Sequence, residues 1–213
     1  MEFLEEKLEE YINEHSSPES QVLYDLNRQT HLNILQPRML SGHLQGRVLS
    51  MLSHMIRPKR ILEIGTYTGY AALCLAEGLQ KGGELITLDI NYKLEDMVNK
   101  FVKKAGFEDK IKMKVGNALE LIPKLDKNFD LVFIDADKTN YANYYDLLID
   151  DLPTGAFLIA DNVLWSGKVT EPIKNEDEDT AALKAFNEKI LNDERVENVL
   201  FPIRDGLMVI RKK

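Results

Sequence analysis

Carboxylates, an amide and a lysine fall where short apolar runs end, and through them this chain can do chemistry. Glu63 closes one run just ahead of Ile64-Gly65, Asp89 closes a second, Asp135-Ala136-Asp137-Lys138 follow a third, and Asp161-Asn162 follow a fourth. In open α/β sheets ligands bind outside the carboxyl ends of the strands, so these residues share one rim if the runs are strands of one sheet. Asp135, Asp161 and Asn162 then offer three hard oxygen donors, the chemistry preferred by Mg²⁺, Mn²⁺ or Ca²⁺, and no His/Cys cluster competes. Lys138 beside a dication would have its charged form disfavoured, which suits a general base near neutral pH. Asp89 lies 24 positions after Gly65, a spacing at which a carboxylate on a second strand grips ribose hydroxyls.

The element that must position these groups is the stretch ILEIGTYTGYAALCLA, which begins at Ile61. It reads as a buried strand, a turn punctuated by Gly65 and Gly69, and a helix from Tyr70. A nicotinamide fingerprint needs glycines spaced G-x-G-x-x-G so that the backbone can approach a pyrophosphate, and the position two after Gly65 is Tyr67. Pyrophosphate is therefore disfavoured. Glu63 and Asp89 together suit an uncharged diol on a cationic cofactor.

Around that turn the pattern predicts strands over 61–64, 85–90, 111–115, 129–134 and 156–160, with helices over 70–79, 92–105, 141–149 and 181–191. Two further strands, 196–202 and 207–211, flank Arg204-Asp205-Gly206 and form an antiparallel pair at one edge. Alternating units of this size imply a Rossmann-like, doubly wound α/β sheet, mostly parallel with an antiparallel terminal strand. Three helices come first, over 2–15 with Phe3 and Leu4 on its apolar side, over 19–35, and one capped by Ser41 whose stripe is Leu44, Val48, Leu52 and Met55. Residues 1–57 thus read as a helical lid or dimer-forming extension and 58–213 as the core, together one domain.

Net charge is −8, with 44% hydrophobic and 29% charged residues, ordinary for a soluble globular chain, and no apolar run is long enough for a membrane helix. The N-terminus is acidic and amphipathic, unlike a secretory signal, so a cytoplasmic protein is expected. The lone cysteine, Cys74, is expected to pack as a small hydrophobe. Charge alternates by segment: residues 1–36 carry eight acids and two bases, residues 37–60 five bases and no acid. A nucleic-acid face could only be local. The acidic run 176–179 reads as a solvated loop, Trp165 as an anchor of its own loop, and none of the four histidines attracts a role.

The segments EIGTYTGYAALCLAEGL, LDI, GNAL, FIDADKTNYANYY, ADNVLWSGKV and DGLMVIRK resemble those of the cation-dependent O-methyltransferases, a branch of the class I S-adenosylmethionine-dependent enzymes that includes the caffeoyl-coenzyme A and catechol enzymes. The resemblance covers about residues 37–213, and its D-A-D-K and D-N-x-L-W-x-G segments are its most specific parts. It implies S-adenosylmethionine contacts at Met39, Ser41, Glu63, Gly65, Tyr67, Asp89, Ala118, Asp137 and Tyr144. It further implies a divalent cation on Asp135, Asp161 and Asn162, Lys138 as base, Trp165 beside the acceptor, and a homodimer. Two residues depart from the pattern: Ala71 replaces a serine that contacts the cofactor, and Ser166 replaces an asparagine that contacts the plant-type acceptor. The implied reaction is methylation of a small vicinal diphenol. The alternative is a tRNA-modifying enzyme acting on a hydroxylated uridine, for which residues 37–60 would supply local positive charge.

Overall fold

The computed structural model describes residues 5–173 and 176–213; Phe3 and Leu4, used in reading the sequence, lie outside them, as does Lys174. Its strands are β1 Arg60–Ile64, β2 Glu84–Asp89, β3 Ile111–Val115, β4 Leu131–Ile134, β5 Phe157–Ala160, β6 Val196–Phe201 and β7 Leu207–Lys212, in the order β3-β2-β1-β4-β5-β7-β6. β1 to β5 pair in parallel, and β7 runs antiparallel to both β5 and β6. The direction of winding reverses between β1 and β4, the place where open α/β sheets bind ligands.

Side chains alternate faces along each strand, so β1, β2, β4 and β5 each feed two cores, while the edge strand β3 buries one face. Ile61, Leu85, Leu131, Phe133, Ile159 and Val209 pack under α2 Gln21–Asn33, α3 Gly42–Ile56, α4 Tyr70–Ala76 and α5 Glu95–Lys104. Leu62, Ile64, Val132, Ile134, Leu158 and Ile210 pack under the helical turn α6 Ala118–Leu121, α7 Tyr141–Leu148 and α8 Glu178–Leu191. All of α4 is buried, which matches its apolar composition on every side. It approaches α3 at Gly46, where a Cβ would stand 2.6 Å from the Tyr70 ring. The first helix, α1, spans Glu6–Glu14.

The helices and strands of the prediction are present, with ends shifted by a few residues. The acidic run is a difference of kind: Asp177 caps α8 by accepting the Thr180 amide at 3.1 Å, and Glu178 and Asp179 form the helix's first turn. Carboxylates there complement the helix dipole, and the expected loop is a helix start. Ser41 stands at the start of α3 but its hydroxyl caps nothing, because its own backbone is already helical. The short pieces at 37–39, 118–121, 138–140 and 165–170 have too few residues to leave a periodic trace in sequence.

Candidate active site

A cavity of about 1040 Å³ opens over the carboxyl ends of β1 to β4. The strand ends contribute Gly65, Asp89, Ala118, Asp135 and Asp137, and the N-terminal extension contributes Asn33 to Gln36 and Met39. Gly65 is obligatory because β1 abuts β4 there: its φ is +100° and a Cβ would stand 1.8 Å from the Asp135 carbonyl oxygen. Tyr67, at the position where a dinucleotide fingerprint has glycine, takes φ 49°. Its amide donates to Asp89 Oδ2 at 2.7 Å and its hydroxyl donates to the Gln36 carbonyl at 2.9 Å, tying the extension to the turn. The Asn91 amide donates to Asp89 Oδ1 at 2.8 Å. Two backbone donors thus fix the Asp89 carboxylate and leave it lone pairs for ligand hydroxyls. Asp137 accepts from the Tyr144 hydroxyl and the Asn140 amide, and burial, with Asp137 beside it, pushes the Tyr144 phenol above its ordinary range.

Met39, Gly65, Tyr67, Asp89, Ala118, Asp137 and Tyr144 therefore line one cavity, while Glu63 and Ser41 lie off its wall. Strand phase explains Glu63. It shares a face with Ile61, is fully buried, and pairs in register with Thr87, whose hydroxyl donates to Glu63 Oε2. Burial pushes its carboxyl up to about 8, with Asp135 and Asp89 adding repulsion, and Oε1 has no partner among the described residues. Ser41 is buried, and its carbonyl accepts from Arg204.

A second group adjoins the cavity at Asp135. Lys138 Nζ donates to Asp135 Oδ1 at 3.0 Å, Asn162 Oδ1 at 2.7 Å and the Tyr141 hydroxyl at 2.7 Å, which uses all three ammonium donors. The Tyr141 hydroxyl donates to the Asp161 carbonyl at 3.0 Å. Asp161 accepts at Oδ1 from the Asn162 amide at 2.7 Å and at Oδ2 from Gln45 Nε2 at 2.6 Å. Burial raises the Asp161 carboxyl above its ordinary range, and the charge of Asp135 adds to the effect. Trp165 lies with its ring 5.9 Å from Lys138 Nζ, and its buried indole nitrogen has no acceptor among the described residues. Asn162, Trp165 and Ser166 all take left-handed φ, between 48° and 60°, a local strain that loops at functional sites commonly carry.

The expected cation donors are therefore two carboxylates and an amide; among the described residues no group of three or more His, Cys, Asp or Glu side chains converges. Their chemistry fits a hard dication nonetheless. Asp135 and Asn162 already share one cationic nitrogen, and repulsion between Asp135 and Asp161 is what a positive ion would relieve. Cys74, fully buried with its thiol pushed up to about 12 by burial, takes no part. Sequence reasoning missed Gln45, Tyr141 and Arg204, which reach the site from separate elements with no shared local pattern, and the Asn33 to Gln36 stretch, whose composition is that of an ordinary helix end.

The strand order, the single reversed strand next to the edge and the cavity at the switch point together define a class I methyltransferase architecture. A model of the O-methyltransferase family matches residues 13–213, and the chain belongs to that family. A caffeoyl-CoA O-methyltransferase of Medicago sativa is 33% identical over 185 residues, covering 79% of this chain and 72% of that one. A Podospora anserina methyltransferase, PaMTH1, solved with bound SAH, superposes with a TM-score of 0.89 at 29% identity, covering 100% of this chain and 98% of that one. The Streptomyces achromogenes O-methyltransferase TomG, involved in tomaymycin synthesis and solved with SAM, gives 0.88 at 26% identity, covering 97% and 96%.

The tRNA-modifying alternative gains no support from these relatives. Its basic segment is partly spent on internal pairs, Arg47 with Glu77 at 3.0 Å and Arg60 with Glu84 at 3.1 Å and Asp126 at 2.8 Å. No helix among the described residues is long and apolar enough to cross a membrane.

Proposed function

We propose that this O-methyltransferase moves a methyl group from S-adenosylmethionine to one oxygen of a small vicinal diphenol, with a divalent cation held by Asp135, Asp161 and Asn162. The observation that carries the reading is the double position of Asp135, which lines the cofactor-sized cavity and also binds the Lys138 and Asn162 cluster. Methyl donor and acceptor would thus meet at one residue. The cofactor's sulfonium supplies an electrophilic methyl group, and the cation supplies Lewis acidity that lowers the pKa of a phenol beside it.

The chain's own residues do the rest. Asp89 holds ribose hydroxyls through its free lone pairs, while Met39, Tyr67, Ala118 and Tyr144 surround the cofactor. Trp165 gives the diphenol ring an apolar wall. Lys138 takes the acceptor's proton at Nζ, for which the ammonium must first give up one of its three protons to solvent and release the partner that proton holds. Holding both oxygens of the diphenol fixes the attacking one in line, an entropic advantage that positioning alone provides.

Methylation of catechol is measured with Mg²⁺ and with excess chelator, alongside cofactor affinity. Activity should vanish in chelator while cofactor affinity stays; full turnover without metal would sink the reading. Asp161→Ala should reproduce the chelator's effect. The chain is further proposed to act as a homodimer, on the resemblance alone, and sedimentation at 24.4 kDa, one chain, would refute that.

A further inference from the structure

Arg204, in the turn between β6 and β7, reaches the N-terminal end of α3. Its Nη1 donates to the Leu40 carbonyl at 3.2 Å, to the Ser41 carbonyl, and to Gln45 Oε1 at 2.9 Å. Gln45 is buried, 1% exposed, and its other amide atom, Nε2, donates to Asp161 Oδ2. Three residues from three distant elements are thus joined in a line that ends on an expected cation donor. Arg204 adopts φ 50°, a conformation that costs a non-glycine residue energy in exchange for placing its guanidinium.

The chemistry of the line has one sense. A guanidinium only donates, so Gln45 must turn its oxygen toward Arg204 and its N–H toward Asp161. Arg204 thereby fixes which way the amide faces. The amide also keeps the guanidinium one side chain away, so the donors on the Asp161 carboxylate are neutral, the Asn162 backbone N–H and the Gln45 side-chain amide. A direct arginine contact would compete with a dication for the same oxygens.

We infer that Gln45 and Arg204 are positioning residues for Asp161, setting the orientation of its carboxylate for a divalent cation. This rests on the reading that Asp161 holds that cation. Outer partners of metal ligands typically matter by about 10-fold to 100-fold in affinity.

The test is Mn²⁺ binding, read by electron paramagnetic resonance on the full chain with S-adenosylhomocysteine present, for wild type, Gln45→Met, Arg204→Met and the double variant. Methionine keeps the volume of Gln45 and removes its polar atoms. Each single variant should weaken Mn²⁺ by about 10-fold or more, with S-adenosylhomocysteine affinity within about twofold of wild type, and the double variant should be no weaker than Gln45→Met alone, because Arg204 acts through Gln45. Mn²⁺ affinity unchanged in Gln45→Met overturns the inference and leaves the cation reading standing. Parallel loss of Mn²⁺ and S-adenosylhomocysteine affinity overturns it too, since the pair would then merely support the fold. A wild type that binds no Mn²⁺ overturns the cation reading and this inference with it.

Discussion

Replacing Glu63 by glutamine should flatten the protein's stability against pH. Glu63 is fully buried at the centre of the sheet, and its carboxyl rises from the ordinary 4.5 to about 8. A carboxyl raised on folding stabilises fully below its unfolded value, and that contribution is lost as pH climbs toward the folded value. At pH 7 the unfolded chain carries Glu63 ionised while the folded chain holds it mostly protonated. The difference of about 2.5 units, at 1.36 kcal/mol each, costs about 3 kcal/mol. Glutamine can accept the same Thr87 hydroxyl and does not titrate. Thermal midpoints of the ligand-free protein, taken from pH 5 to 8 at constant ionic strength, should fall for wild type by up to about 10 °C more than for Glu63→Gln, at roughly 2–4 °C per kcal/mol for a chain this long. Asp161 adds a slope of the same sign, so the variant keeps part of the fall. Parallel curves would refute the reasoning and mean that Thr87 holds Glu63 ionised inside the fold.

Lys138→Ala should lower turnover more than it raises the acceptor's Michaelis constant, because a positioned base acts in the transition state, and Lys138→Arg should not restore it, since guanidinium stays protonated; unchanged turnover in steady-state assays would assign the proton to solvent. Gly65→Ala should cost more than about 3 kcal/mol in denaturant unfolding, or prevent folding, because its Cβ would overlap the Asp135 carbonyl at 1.8 Å and the backbone is left-handed. Free catechols should be methylated with a higher specificity constant at low salt than their coenzyme A esters: the sequence from 171 to 179 carries five acids against one lysine, a charge that repels a phosphate-rich partner. A strong preference for the ester would count against that field.

The residues that end strands were legible because strand ends have two independent signals, an apolar run that stops and a carboxylate or glycine where it does. Asp89, Asp135 and Asp161 carry both, and Asp137, Lys138 and Asn162 follow them within three residues. Glu63 stands apart for the opposite reason: its position in sequence is that of a rim residue, and the phase of β1 turns it off the cavity wall. Gln45 and Arg204 are 159 residues apart and meet through tertiary packing, which leaves no periodic or spacing signal. Ser41 failed as a cap because capping depends on one residue's dihedrals, a detail that composition does not encode.

The strand that comes last in sequence is second from the edge in space, and this constrains the order in which the molecule can assemble. Among the described residues β6 pairs with β7 alone, so its place in the sheet depends on β7 docking on β5. The two join through a short turn, a local contact, and should dock as one hairpin. Before that event β5 is an open edge, a surface on which a half-made chain can pair wrongly with another. The same hairpin carries Arg204 at its turn. Docking that hairpin therefore also brings Arg204 to Gln45. Hydrogen exchange should find the β5, β6 and β7 amides opening together, with β1 protected longer.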